Sequence, residues 1–154
     1  MRHAFQATSG RDSHYRHVAR LRRNRNFHAD LSEPSHRLLN AIEPGSYIVP
    51  HRHLAPARDE SILAVAGRLG LIVFDDTGTV VAKHVIEPGG EAIGVDLPAG
   101  TWHTLVALAP DTVMFEAKAG PYVPPSPDDL APWAPREGDA SASAYVARLE
   151  ALFA

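Results

Sequence analysis

The chain has 154 residues, 45% of them hydrophobic and 21% charged, the composition of one soluble domain with room for a real core. A net charge of -3 with histidine neutral excludes a general attraction to nucleic acid or anionic membrane. The absence of cysteine excludes disulfides, thiolate ligands, iron–sulfur clusters and cysteine nucleophiles.

Residues 1–30 read as an N-terminal extension, rich in Arg, His and Asn and poor in apolar periodicity. A short helix over 13–22 has only Val18 and Leu21 as apolar anchors. The basic run 16–25, with His14, His17 and His28, lacks interleaved aromatics and a recognisable reader fold, so it reads as a solvated face or pocket cover, not a nucleic-acid surface. Asp12 and His14 read as terminal decoration. No apolar stretch follows this polar start, and the longest apolar runs, such as 71–74, are strand-sized. The expectation is a cytoplasmic protein with neither signal peptide nor membrane span.

From 31 to 120 the character changes to an all-β domain. Short runs rich in Val, Ile, Leu, Ala and Phe alternate with Gly, Pro and Asp clusters. Strands are predicted at 37–42, 47–53, 61–66, 69–74, 80–86, 92–97, 103–109 and 112–117. Glu43-Pro44-Gly45-Ser46 and Glu87-Pro88-Gly89-Gly90 mark tight reversals, Asp75-Asp76-Thr77-Gly78 closes a hairpin, and Gly67-Arg68-Leu69-Gly70 bends or links two strands. Eight strands without intervening helices predict a sandwich or barrel. Residues 121–154 form a third region. Its prolines, from Pro121 to Pro135, suit an extended strap over the barrel with Trp133 and Tyr122 tucked beneath. The last fourteen residues predict a helix, with Ser141 or Ser143 as N-cap and Tyr145, Val146, Leu149, Leu152 and Phe153 on one face.

The chemistry concentrates in two short segments about fifty residues apart. On a strand, His51 and His53 project to one side while Arg52 points away. Glu60 begins the next predicted strand, and Pro98-Ala99-Gly100 turns the chain into Trp102 and His103. If the two strands are neighbours, three imidazoles and a carboxylate converge, the donor set of one divalent transition metal: Fe, Mn, Ni, Co or Zn. A lone His-x-His pair among nine histidines is ordinary surface. The joint pattern of both segments, with Gly45 and Gly67 flanking the first, is what favours a ligand set.

Gly45-x5-His51-x-His53…Glu60-x6-Gly67 resembles the first signature of the cupin superfamily, and Pro98-x-Gly100-x-x-His103 resembles the second. Six residues separate His53 from Glu60, where cupins have three or four, and Ala107 stands where the second signature has asparagine. A longer likeness runs from about Arg22 to Glu137. It comprises Asn26-Phe27-His28, Arg37-Leu38-Leu39-Asn40, Pro44-Gly45-Ser46-Tyr47, Pro50-His51-Arg52-His53, Phe115-Glu116-x-Lys118-x-Gly120-Pro121-Tyr122 and Trp133-Ala134-Pro135. These segments resemble the WbuC family of cupin-fold metalloproteins, associated with surface-polysaccharide (O-antigen) gene clusters. The resemblance implies a cupin double-stranded β-helix (jelly-roll) fold with a short C-terminal helix, a bound metal, a sugar-related ligand and, by analogy with cupins, a homodimer.

Glu116 shares a strand face with Met114 and Lys118. It reads either as half of an exposed charge pair or as an acid/base beside the metal, which the family-like segment encourages. Tyr47 and Trp102 read as pocket-wall residues with polar tips. Arg37 and Asn40, on the strand before the histidines, are candidate contacts to an anionic or hydroxylated ligand, against the plainer reading of a structural ion pair or turn bond. The function expected is a metal-dependent isomerase or epimerase acting on a sugar-derived small molecule. The alternatives are an iron dioxygenase and a non-catalytic ligand-binding cupin.

Overall fold

The structure, a computed structural model, describes residues 20–154 except Ala55. Eight strands are present: β1 Arg22–Asn26, β2 Ser35–Ile42, β3 Glu60–Ala66, β4 Leu69–Phe74, β5 Val80–Ile86, β6 Gly94–Leu97, β7 Trp102–Ala107 and β8 Thr112–Ala119. A 3-10 turn at Pro127–Asp129 and the helix α1, Ala142–Ala151, follow. The strands form two antiparallel sheets, ordered β1-β2-β8-β3-β6 and β5-β4-β7, instead of one continuously paired barrel. Among the described residues no helix is long and apolar enough to cross a membrane.

One core lies between the sheets: Ile42, Ile62, Leu69, Leu71, Ile86, Leu97, Leu105, Ala107 and Met114. A second lies on the far face of the three-stranded sheet, where Tyr47, Ile72, Phe74, Trp102 and Val106 pack against Ala131, Ala134 and the Ala142, Val146 and Leu149 face of α1. β4 and β7 are therefore buried on both sides, while β5 at the edge of that sheet is largely exposed. That is why β4 reads as an unbroken apolar run, while β2 and β8 alternate. The predicted helix is where expected, but Ser141 at its N-cap makes no side-chain capping bond. Trp133 does tuck in, its ring 4.8 Å from that of Phe74. Tyr122 is 46% exposed, because its segment passes the mouth of a cavity instead of the apolar core.

Two expectations are corrected, and a third falls mostly outside the described residues. The predicted strand 47–53 is not a regular strand: only His51 bridges, to His103 on one side and Leu130 on the other. Pro50 has no N–H to give to a ladder, and side-chain alternation slips beside it. Tyr47 and Val49 face the helix-side core, whereas Ile48 and His51 both line the cavity. Second, β1 was not predicted. Its sequence, Arg-Arg-Asn-Arg-Asn, has no apolar alternation, and it forms as a polar edge strand through pairing with β2. Third, of the helix proposed over 13–22, residues 13–19 lie outside the described residues, as do Asp12 and His14, and Arg22 opens β1.

The chain changes sheets between β3 and β4 at Gly67, whose φ is +71°. A Cβ there would sit 2.4 Å from Thr112 Oγ1 and 2.6 Å from Thr112 Cα. The Gly67→Ala variant is expected to lose roughly 1–3 kcal/mol, from the left-handed backbone and this clash, read as a lower urea midpoint at unchanged slope.

Candidate metal centre

Two backbone segments build the centre. His51 N–H donates to His103 O and His103 N–H donates to His51 O, each at 2.9 Å, so the motifs meet in antiparallel register. The His51 and His103 ring centroids are 4.5 Å apart and those of His51 and His53 are 5.2 Å apart. Glu60, the first residue of β3, enters from the opposite sheet with only 3% exposure. Its Oε2 lies 3.2 Å from His103 Nε2 and 3.4 Å from His53 Nε2. One donor atom from each of His51, His53, Glu60 and His103 lies within 4.8 Å of the others.

Protonation states fit a cation. His51 Nδ1 is 2.9 Å from Val49 O and His103 Nδ1 is 2.9 Å from Thr101 O. A carbonyl can only accept, so Nδ1 carries a proton in both rings and Nε2 is the nitrogen left to face the cluster. Burial first, and then the neighbouring His103, lower His51 to about 3, so it is neutral. Burial alone would raise the Glu60 carboxyl. His103, His53 and the Lys118 charge outweigh it and hold Glu60 well below the ordinary carboxylate range. Glu60 Oε2, His53 Nε2 and His103 Nε2 are all buried without an aligned hydrogen-bond partner. Buried polar atoms are almost always satisfied, and three orphans facing one point match a missing shared partner. Nitrogen and oxygen donors bind first-row ions at about 2.0–2.2 Å, so the span of these four atoms suits one such ion.

Behind the four donors the inner face of the larger sheet is polar. Register places Glu60 opposite Lys118, and Lys118 opposite His36. Lys118 Nζ bridges Glu60 Oε1 at 3.2 Å and Glu116 Oε1 at 2.5 Å. Burial alone would lower Lys118, but the two carboxylates raise it, so it stays charged. Burial and then the Glu60 charge push Glu116 up to about 7 against the pull of Lys118. Glu116 is thus not an exposed outer-face residue: it is 7% exposed and lies in the same buried network.

A cavity of about 540 Å³ opens from the centre and is lined by His51, Glu60, His103, Glu116, Lys118 and Asn40, among others. Its far end holds the stacked His28 and His36 rings, 4.1 Å apart, with Asn24 and Asn26 of β1. Asn40 Oδ1 is buried there without a partner. A smaller cavity of about 150 Å³ adjoins the first, sharing His51, Lys118 and Tyr122 in its lining and adding His53, Arg58 and Asp129.

Of the four expected pocket residues, only Asn40 lines either cavity. Arg37 is on the opposite face of β2 and pairs with Glu33 at 3.5 Å. Tyr47 belongs to the helix-side core, its hydroxyl donating to Pro135 O at 2.7 Å. Trp102 precedes the inward-facing His103 and so points outward, donating to Asp76 Oδ1 at 3.0 Å under the Arg52 guanidinium. Sequence reasoning overlooked Lys118, although the alternation Met114, Glu116, Lys118 carried the signal. It also overlooked Arg58, which had no motif to announce it.

Comparison with solved structures places this architecture. KdgF from Halomonas sp. superposes with a TM-score of 0.52 at 19% identity, over 67% of this chain and 81% of that one. A cupin superfamily protein from Desulfitobacterium hafniense gives 0.50 at 13%, over 64% and 76%. The fold is that of the cupins. The capsular polysaccharide assembling protein CapF from Staphylococcus aureus gives 0.51 at 21%, over 70% of this chain and 29% of that one. By sequence, a family described as a domain of unknown function, DUF6016, matches residues 12–86 of this cupin-fold chain. No curated protein matches it significantly.

The charge network makes a stability prediction. Lys118→Met leaves two buried carboxylates without their cation and is expected to cost roughly 3–5 kcal/mol in metal-free protein. Adding Glu116→Gln should recover part of that loss, both read by chemical denaturation at neutral pH.

Proposed function

We propose that His51, His53, His103 and Glu60 hold one divalent transition metal, and that the protein is an isomerase- or epimerase-like enzyme acting on a sugar-derived small molecule. The observation that carries the metal reading is the convergence of three buried, unpartnered polar atoms, Glu60 Oε2, His53 Nε2 and His103 Nε2, on one point beside His51, whose Nδ1 is tied to Val49 O. When bound, the metal supplies Lewis-acid polarisation of a ligand carbonyl or hydroxyl.

The chain's own residues supply the rest. Glu116 is the acid/base, a carboxyl at the cavity wall within reach of Lys118, which positions it and compensates its charge. Asn24, Asn26 and Asn40 line the far end of the cavity, and amides offer both a donor and an acceptor, as hydroxyl groups require. The sugar class rests on these amides and on the WbuC resemblance. CapF, a fold neighbour named for capsular polysaccharide assembly, is in keeping with it.

Elemental analysis of protein purified without a metal-affinity tag is expected to give near-stoichiometric transition metal in wild type and none in a His51→Ala, His53→Ala double variant that remains folded. Metal-free wild type after growth in supplemented medium would end the reading. Metal should be released as the pH falls and ligand histidines are protonated. Because His51 is held well below free imidazole, release is expected below the ordinary histidine value of about 6.5.

Glu116→Gln should keep its metal and lose roughly 10²-fold or more in turnover. The assay is solvent deuterium incorporation next to the carbonyl of candidate ketoses and aldoses, followed by NMR. Equal exchange in wild type and Glu116→Gln would remove Glu116 from the chemistry.

A further inference from the structure

A buried guanidinium without a hydrogen-bond partner lies beside the four-donor cluster. Arg58 is only 7% exposed, and its Nε and Nη2 are buried without a hydrogen-bond partner. Among the described residues no carboxylate forms an ion pair with it. A guanidinium is charged at any accessible pH, so it cannot escape burial by losing its proton. Burying such a charge unpaired is strongly unfavourable, and folded proteins normally supply a counter-ion.

The one carboxylate among the residues lining its cavity, Asp129, makes no ion pair with Arg58. Its oxygens are held instead by Ser126 N at 2.9 Å, Ser126 Oγ at 2.7 Å and Leu54 N at 3.1 Å. Lys118, on the same wall, is a second cation, already matched by Glu60 and Glu116. His51 and His53 complete the boundary with the four-donor cluster. The space is about 150 Å³, room for a small anionic group but not for a whole sugar ring with its substituents.

The chain places Arg58 there by a specific local device. The loop from His53 to Glu60 folds back on itself through a bridge between Leu54 and Ala57. Beyond it the burial alternation of β3 already holds, with Arg58, Glu60 and Ile62 buried and Asp59 and Ser61 exposed. Asp59 points away, accepting from Ala99 N at 2.9 Å. Arg58 is thereby on the inward side, one alternation ahead of Glu60.

We propose that Arg58 forms an anion-binding subsite, which holds a carboxylate or phosphate group of the ligand beside the four-donor cluster. The ligand is then an acidic sugar derivative: its anionic group faces Arg58 and its hydroxyl-bearing part lies in the larger cavity toward Asn40. This deepens the functional reading above and rests on it for the sugar class.

The test measures binding by calorimetry to zinc-loaded wild-type protein, with glucose, gluconate, glucose 6-phosphate and inorganic phosphate as probes. Metal content is determined on the same samples. At least one anionic sugar is expected to bind about tenfold or more tighter than glucose. Preference for gluconate identifies a carboxylate, and preference for glucose 6-phosphate or inorganic phosphate identifies a phosphate. Arg58→Leu should erase the preference and, by removing an unpaired buried charge, leave the unliganded protein at least as thermostable as wild type. Arg58→Lys should retain part of the preference.

A purely structural role predicts the reverse, a destabilised Arg58→Leu with its anion preference intact. That result would overturn the proposal, as would metal-loaded wild type binding no anion better than glucose. Protein that takes up no metal yet binds anions through Arg58 would overturn the metal reading and leave this subsite standing.

Discussion

Two backbone hydrogen bonds between His51 and His103 are the constraint on which the centre depends. They join segments fifty residues apart and set the two imidazoles side by side without the help of a continuous strand. The His51 segment is also held on its other edge, where Arg52 N–H donates to Asp129 O and Ala131 N–H donates to Pro50 O. A clamped segment can carry donor groups at fixed positions even though Pro50 forbids regular pairing. The proline-rich region is consequently more than a cover. Through Asp129 and Ala131 it is the outer support of the histidine pair.

The larger sheet divides its inner face between stability and chemistry. At one end Ile42, Ile62 and Met114 meet Leu69, Leu71 and Leu105 in an apolar core. At the other end the cross-strand row runs His36, Lys118, Glu60, with Glu116 one alternation away. Burying that row is costly unless each charge has a partner, and Lys118 between two carboxylates supplies one for both. Strands β4 and β7, buried on both faces, supply the compensating apolar contact.

Seven of the eight observed strands were legible in the sequence, because alternation and turn residues report directly on backbone geometry. The strand 47–53 failed where a single proline shifted the alternation, and β1 failed because an edge strand needs no apolar face. The four cluster residues were legible because their types and order carry the pattern. The pocket wall was not, although part of the error was avoidable. Strand residues an odd number of positions apart point oppositely, so Trp102 and His103 could never share a wall, and neither could Arg37 and Asn40. Arg58 left no pattern at all. Its meaning depends on the absence of an ion-pair partner in three dimensions, which no local reading of a loop can reveal.

The position of Glu60 shows why motif spacing is a weak proxy for site geometry. Six residues separate it from His53, more than the cupin signature has, yet its carboxylate reaches both His53 and His103. What fixes Glu60 is register, since it pairs with Lys118 of β8 on one side and Leu97 of β6 on the other. Loop length can then vary, provided the excess is folded away, as the bridge between Leu54 and Ala57 does here. The strand delivers the carboxylate, and the extra loop residues become free to bring something else. In this chain they bring a buried guanidinium to the edge of the cluster.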